Sequence, residues 1–154
     1  MARPRSDTLI TQSLIDRLTD LDQWPETRSA SIGMYRESLK RDVEWLLNTR
    51  QPVIPELESF PATAASVLNY GLPDFHNFEG AASKEQNALT TALEKCIRIF
   101  EPRVSHPRVF LTRSDQLSRS LRFHIEGQIN YENMDEEIKF DTVLELISGE
   151  YEVK

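Results

Sequence analysis

The hydrophobic pattern of the chain changes its period at Pro102. Before this proline, apolar side chains recur every three or four residues over 83–100, which is typical of an amphipathic helix. After it, apolar and polar residues alternate over 121–130, which predicts a strand with one buried face. A proline cannot continue a helix, and it disfavours the helical conformation of the preceding residue. Helices followed by strands predict an α+β fold, with helices packed on a small antiparallel or mixed sheet formed by the C-terminal half.

The N-terminal half shows helical patterns separated by loops. In chain order we expect a flexible segment over 1–7, a short amphipathic helix over 8–21, a loop over 22–33 and a longer helix over 34–49. The stretch 50–83 is long for a structureless loop, so it is predicted to hold a short helix over 63–68 that ends near Gly71. We divide the chain into an N-terminal flexible segment with a short helix (1–20) and a single domain (21–154).

Three strand-like runs follow Pro102, namely 108–113, 121–130 and 138–147. The last run alternates less cleanly, which predicts a strand covered on both faces. Gly149 is expected to bend the chain before Tyr151–Val153. Consecutive short strands of this kind predict an antiparallel meander.

Charge is divided unevenly along these strands. The 154 residues carry a net charge of −7, which argues against a general nucleic-acid binder. Six arginines and two acids lie within 98–122, whereas eight acids and two lysines lie within 131–154. Either basic and acidic strands pair with each other, or each forms a docking surface for a complementary partner.

Composition indicates an expected location but no cofactor. Cys96 is the only cysteine and lies among apolar residues, so we expect a buried thiol and no intramolecular disulfide. The first residues lack the apolar region of a signal peptide, and no stretch is apolar enough to insert into a membrane. We therefore expect a cytoplasmic protein. No histidine or cysteine spacing is typical of a metal site, and no glycine-rich phosphate loop or nucleophile motif is present, so no cofactor is predicted.

The most distinctive arrangement of charges in the chain is an acid and a base on either side of a proline, at Glu101, Pro102 and Arg103. Glycoside hydrolysis requires two carboxylates, one of them held protonated as a general acid. A cation next to a carboxylate favours its ionised form, which is the wrong direction for that role. A proline between two charged residues instead fixes their geometry, and arginine offers a rigid fork for carboxylates or helix carbonyls. The residues alone leave open whether the pair clamps its own turn or contacts a partner.

Four stretches of the sequence carry a resemblance to a known family. They are RESLKRDVEWLLNTR (36–50), SVLNYGLP (66–73), EPR (101–103), and FDTVLEL (140–146) with GEY (149–151). In this order, the motifs resemble the TssE family of type VI secretion baseplate subunits, which is similar to the small wedge protein of contractile-phage baseplates. The resemblance runs from about residue 18 to the C-terminus.

The resemblance implies a structural role rather than catalysis. It implies a fold similar to the interlocking domain of the contractile sheath, and wedge partners TssF, TssG and TssK at a membrane-docked baseplate. Glu101, Pro102 and Arg103 would clamp the helical core bundle of those partners. Strand edges would template assembly of the sheath proteins TssB and TssC, and we expect the sheath contact near four residues of the last long strand: Phe140, Val143, Leu144 and Leu146. A peptidoglycan glycosidase, suggested by the lysozyme-like label of some family members, is the alternative; a generic acidic regulatory module is a third.

Overall fold

The computed structural model describes residues 9–19, 24–74, 83–115, 120–131, 134–145 and 148–154. The helices are α1 (Leu14–Thr19), α2 (Arg28–Asn48), α3 (Pro61–Ala64) and α4 (Ser83–Phe100), and two single 3₁₀ turns span Leu57–Ser59 and Val67–Asn69. The strands are β1 (Val104–Asp115), β2 (Ser120–Tyr131), β3 (Met134–Glu145) and β4 (Tyr151–Val153).

The four strands form one antiparallel sheet in the order β1-β2-β3-β4. One face of this sheet packs against α2 and α4, and the core lies between the two layers. Along β2, Leu121, Phe123 and Ile125 are buried whereas Arg122 is exposed. The prediction of an α+β fold with a C-terminal antiparallel sheet is confirmed.

β3 differs from its predicted environment. Alternate residues Ile138, Phe140, Thr142 and Leu144 are buried, while Lys139 and its equivalents along the strand are exposed or partly exposed. The prediction of a strand covered on both faces is therefore wrong: Thr142 and Val143 blurred the alternation, but only one face is covered. The strand also begins at Met134, earlier than predicted.

α2 is longer than its hydrophobic pattern indicated. Thr27 caps it, because its hydroxyl accepts a hydrogen bond from the Ala30 amide at 3.2 Å. The predicted loop over 22–33 is thus wrong for 28–33. The helix continues through Gly33, where an added Cβ would meet nothing within 4 Å.

α1 is shorter than predicted and packs differently. It begins after Ser13, whose hydroxyl accepts a hydrogen bond from the Asp16 amide at 3.2 Å. Its apolar side chains Leu14 and Leu18 are exposed, and no residue of the helix is buried. The buried contact of this region is made by Ile10, which precedes the helix. The expected flexible segment 1–7 lies outside the described residues.

The stretch after α2 folds into short pieces held by backbone pairing. Leu72 forms hydrogen bonds with Thr49 and Gln51, at 2.8 and 2.9 Å. Gly71 has a φ of +109°, and a Cβ there would lie 2.4 Å from the Thr49 carbonyl oxygen, so this close approach requires glycine. The expected helix over 63–68 is replaced by α3 and the following 3₁₀ turn. The 3₁₀ turn ends at Asn69, two residues before Gly71, near the predicted end of the helix.

Candidate functional site: the Glu101–Arg103 turn

A tight turn converts α4 into β1. The Glu101 amide donates to the Ile97 carbonyl at 2.8 Å and completes the helix, while the Glu101 carbonyl accepts from the Val104 amide at 3.0 Å. Pro102 occupies the second position of this turn, where its fixed φ is favourable, and is exposed. The turn therefore holds the two flanking charged residues on one rigid support.

Glu101 and Arg103 form a bidentate ion pair. Arg103 Nε donates to Glu101 Oε1 and Arg103 Nη2 donates to Oε2, both at 2.6 Å. The Glu101 residue is only 5% exposed. Two parallel charge-assisted hydrogen bonds fix the guanidinium plane as well as its position. The structure thus shows the turn clamp that the sequence left open.

A third residue joins this pair from α2. Arg103 Nη2 also donates to Asp42 Oδ2 at 2.7 Å, across 61 residues of sequence. The Arg103 guanidinium lies 5.8 Å from the centre of the Tyr35 ring. Nη1 of Arg103 makes no hydrogen bond with the described part of the chain.

The ion pairs continue beyond Asp42 to the N-terminal helix. Arg41 donates from Nη2 to Asp42 Oδ1 at 2.9 Å and from Nη1 to Asp16 Oδ1 at 2.6 Å. The Arg41 guanidinium also lies 4.9 Å from the centre of the Trp45 ring. Alternating charges therefore connect Glu101 at the turn with Asp16 in α1.

The charges of this chain of pairs stabilise one another. Burial alone would lower the pKa of Arg103, but hydrogen bonds and the charges of Glu101 and Asp42 outweigh burial and hold that pKa well above its usual range. The hydrogen bond from Arg41 lowers the pKa of Asp16 to about 2, against the opposing effect of burial. Asp16, Arg41 and Arg103 are therefore charged at neutral pH.

The arrangement is suited to binding and poorly suited to acid catalysis. Both oxygens of Glu101 are engaged by Arg103, so the carboxylate is held as an acceptor and not as a proton donor. Among the described residues, no group of three or more histidine, cysteine or acidic side chains could hold a metal ion. In the same residues, no helix is long and apolar enough to cross a membrane.

A groove beside the turn carries more arginines than acids. Its volume is about 540 Å³, and its lining includes Pro102, Arg98 and Arg108 together with Glu94. β2 separates β1 from the acidic strand β3, so arginines of β1 do not pair with acids of β3 across the sheet. In the described ranges Arg98, Arg108 and Arg122 form no ion pair. Their positive charges therefore stay on the surface, separate from the acidic residues of β3.

The residues expected at a sheath contact lie in different environments. Phe140 and Leu144 are buried in the core, whereas Val143 is partly exposed on the opposite face of the sheet. Leu146 lies outside the described residues. The side chain of Val143 is therefore the one of these four that the described surface presents.

A second group of motif residues covers the free edge of β4. Asn48, at the end of α2, accepts from the Tyr151 amide and donates to the Tyr151 carbonyl, both at 2.8 Å. The Val153 amide donates to Glu44 at 3.5 Å, and Arg50 donates to the Gly149 carbonyl. These α2 side chains replace a neighbouring strand at this edge.

Sequence reasoning missed Asp42, Arg41 and Asp16 as parts of the site. Asp42 and Arg41 lie within the motif over 36–50, where helical spacing alone favours a pair between Arg41 and Glu37. Arg41 instead binds Asp16, which is 25 residues away. Nothing in the spacing of these residues indicates the contact.

Comparisons with known proteins indicate the family of this chain. A family model described as baseplate wedge protein gp25 matches residues 34–134, well over half of the chain, and it includes the turn and α2 from Met34 onward. A search of curated proteins found no match. The family match confirms the resemblance and covers three of the four motifs, since the motif over 140–151 lies beyond residue 134. It supports a structural role in a baseplate. The chain belongs to the baseplate wedge protein gp25 family.

Proposed function

We propose that this protein is a non-enzymatic wedge subunit of a type VI secretion baseplate, with residues 21–154 forming the wedge domain. In this proposal it docks through Glu101, Pro102 and Arg103 on the helical core bundle of TssF and TssG, beside TssK, at a membrane-docked baseplate in the cytoplasm. The observation that carries the proposal is the geometry of Arg103. Glu101 and Asp42 hold its Nε and Nη2, Nη1 makes no hydrogen bond with the described residues, and the adjoining Pro102 is exposed.

This geometry favours docking because the arginine is ordered before binding. Glu101 and Asp42 hold the guanidinium in one orientation, so little side-chain entropy is lost when a partner binds. Arg103 Nη1 can donate to a carboxylate or to the free carbonyls at a helix C-terminus, both of which a helical bundle offers. The partner contact and the turn clamp are therefore compatible roles of the same residue.

Substitution of Arg103 by alanine tests the docking. We expect Arg103→Ala to lose capture of a purified TssF–TssG complex while circular dichroism shows a folded chain. Arg122→Ala is the control, since Arg122 is an exposed arginine on β2, away from the turn. Capture that equals wild type in the Arg103 variant would contradict docking, and unfolding of that variant alone would favour a purely structural clamp.

For sheath templating we propose the uncovered edge of β3. β4 pairs only with Thr142–Leu144, so along the edge opposite β2 the rest of β3 has no neighbouring strand in the described residues. The edge of β4 is covered by Asn48 and Glu44, and on the edge of β1 the Val109 amide donates to Glu94 at 2.9 Å. An added strand of TssB or TssC would find unpaired main-chain groups beside Glu137 and Lys139, with Val143 further along β3.

Proline at an outward-facing amide tests this edge. The Glu137 amide points away from β2. Asp141 and Val143 lie an even number of residues further along β3, so their main-chain groups point to the same side, and both pair with β4. Glu137→Pro therefore removes no described ladder bond, yet blocks an added strand. We expect it to stop sheath polymerisation from the baseplate, with Glu137→Ala as the control. Normal polymerisation by a folded proline variant would exclude this edge.

The glycosidase alternative has a separate test. If the purified protein releases no sugar from peptidoglycan, the result contradicts the glycosidase alternative and supports a purely structural role. Cleavage by the wild type that is abolished by Glu101→Gln would overturn the non-enzymatic proposal.

A further inference from the structure

One carboxylate connects the proposed docking turn to the rest of the molecule. Asp42 Oδ2 accepts from Arg103 Nη2 at 2.7 Å, and Asp42 Oδ1 accepts from Arg41 Nε and Nη2 at 3.1 and 2.9 Å. Because the two oxygens serve two guanidinium groups, moving the carboxylate changes the geometry of both arginines. Asp42 is thus the central residue of the chain of ion pairs.

The far end of the chain of ion pairs is the attachment of α1. Arg41 Nη1 binds Asp16 Oδ1 at 2.6 Å, and Ser13 also donates to Asp16 Oδ2 at 2.6 Å. α1 has no buried residue, so this ion pair supplies what apolar packing does not. The segment before α1 has its own contact, from the Ile10 amide to Ser31 Oγ at 3.2 Å.

We propose that Asp42 is a positioning residue, which orients Arg103 for its partner and, through Arg41, holds α1 in place relative to the docking turn. The first half rests on the proposed function, because it assumes that Arg103 contacts the partner. The second half is intramolecular and is independent of any partner. The two halves are therefore tested by separate measurements.

NMR titration of the Asp16 carboxyl group in the full chain tests the link to α1. Removing the negative charge in Asp42→Asn would, by charge alone, favour ionisation of Asp16 and lower its pKa. If Asp42 positions Arg41, the Asp16–Arg41 hydrogen bond weakens instead and the pKa rises. We expect a rise of about one unit, which is about tenfold tighter proton binding. An unchanged or lower pKa would overturn the link.

Two further variants separate positioning from charge and from misfolding. Asp42→Glu keeps the charge but displaces the carboxylate by one methylene, so we expect the Asp16 pKa to rise there as well. Glu37→Gln removes a charge from the same helix, beside Arg41, without breaking a described ion pair, and should by charge alone lower the Asp16 pKa slightly rather than raise it. If Asp42→Asn does not fold, the result with Asp42→Glu decides: an unchanged Asp16 pKa in this variant overturns the link.

Binding to the purified TssF–TssG complex tests the docking half. We expect Asp42→Asn to weaken binding about tenfold or more, as loss of a charged hydrogen bond would, and Glu37→Gln to bind as wild type. Binding that is lost in Arg103→Ala but normal in both Asp42 variants would overturn positioning while the proposed function stands. Normal binding by Arg103→Ala would overturn the proposed function and the docking half together, and the titration would still decide the link to α1.

Discussion

Individual residues of the family motifs join segments that are distant in sequence. Asp42 reaches Arg103, Asn48 reaches Tyr151, and the Gly71 carbonyl accepts a bond from the Cys96 thiol at 3.1 Å. Each contact places the C-terminal half of α2 or α4 against another motif. At the scale of the residue, the motifs therefore build the fold and also support the proposed docking turn.

Two glycines provide a matched test of local packing. A Cβ at Gly127 in β2 would lie 2.3 Å from Val104 Cγ1, whereas a Cβ at Gly33 in α2 would meet open space. We expect Gly127→Ala to lower the free energy of unfolding by about 1–3 kcal/mol, and Gly33→Ala to raise it by roughly 0.5–1 kcal/mol. Urea unfolding of both variants measures the difference. Equal effects would contradict the described packing of β2 against Val104.

The Cys96 thiol should be unreactive in the folded protein. Burial raises its pKa to about 12, so the thiolate is scarce at pH 8 and the sulfur is also shielded. We expect no modification by a thiol reagent in native buffer and complete modification in denaturant. Rapid native modification would show that the core around α4 opens easily.

Among the elements, α1 is attached by charge rather than by apolar packing. The Asp16 pKa of about 2 lies below its unfolded value of 3.8, so the ion pair with Arg41 stabilises the attached state fully above about pH 4. That contribution is lost as the pH falls from about 4 to 2. After screening by solvent we expect it to be about 1 kcal/mol or less.

Amide chemical shifts of α1 should therefore change between pH 4 and 2. Asp16→Asn should show the detached shifts already at pH 6 and lose most of the pH dependence. The control is Asp141→Asn, which removes an exposed carboxylate on β3. Shifts of α1 that stay constant down to pH 2 in a folded chain would contradict attachment through Asp16.

The short strand β4 depends on α2 rather than on its own length. Asn48 supplies both a donor and an acceptor to Tyr151, so Asn48→Ala removes two hydrogen bonds and leaves main-chain groups unpaired. We expect a loss of about 1–3 kcal/mol in stability, and faster hydrogen exchange of the Tyr151 amide. Ser148→Ala, on the adjoining turn, should have little effect. Unchanged exchange in the Asn48 variant would contradict the edge contact.

In the whole molecule, two helices cover one face of a four-stranded meander, and the proposed docking turn lies where these layers meet. Hydrophobic period and Pro102 were sufficient to predict this architecture, because burial on one face imposes a simple repeat. The prediction that both faces of β3 are covered was wrong, because Val143 is apolar although it lies on the uncovered face. The ion pairs of Asp42 and Arg41 were not predictable, because long-range pairing of charges has no repeat in the sequence.

The structure of this chain within an assembled wedge would decide whether Arg103 docks on the partners. We expect a carboxylate or main-chain carbonyl oxygen of the TssF–TssG core bundle at hydrogen-bond distance, about 3 Å, from Arg103 Nη1. Glu101 and Asp42 would keep their present contacts with the same guanidinium. A wedge in which Pro102 and Arg103 face solvent, with Arg103 bound only to Glu101 and Asp42, would contradict it.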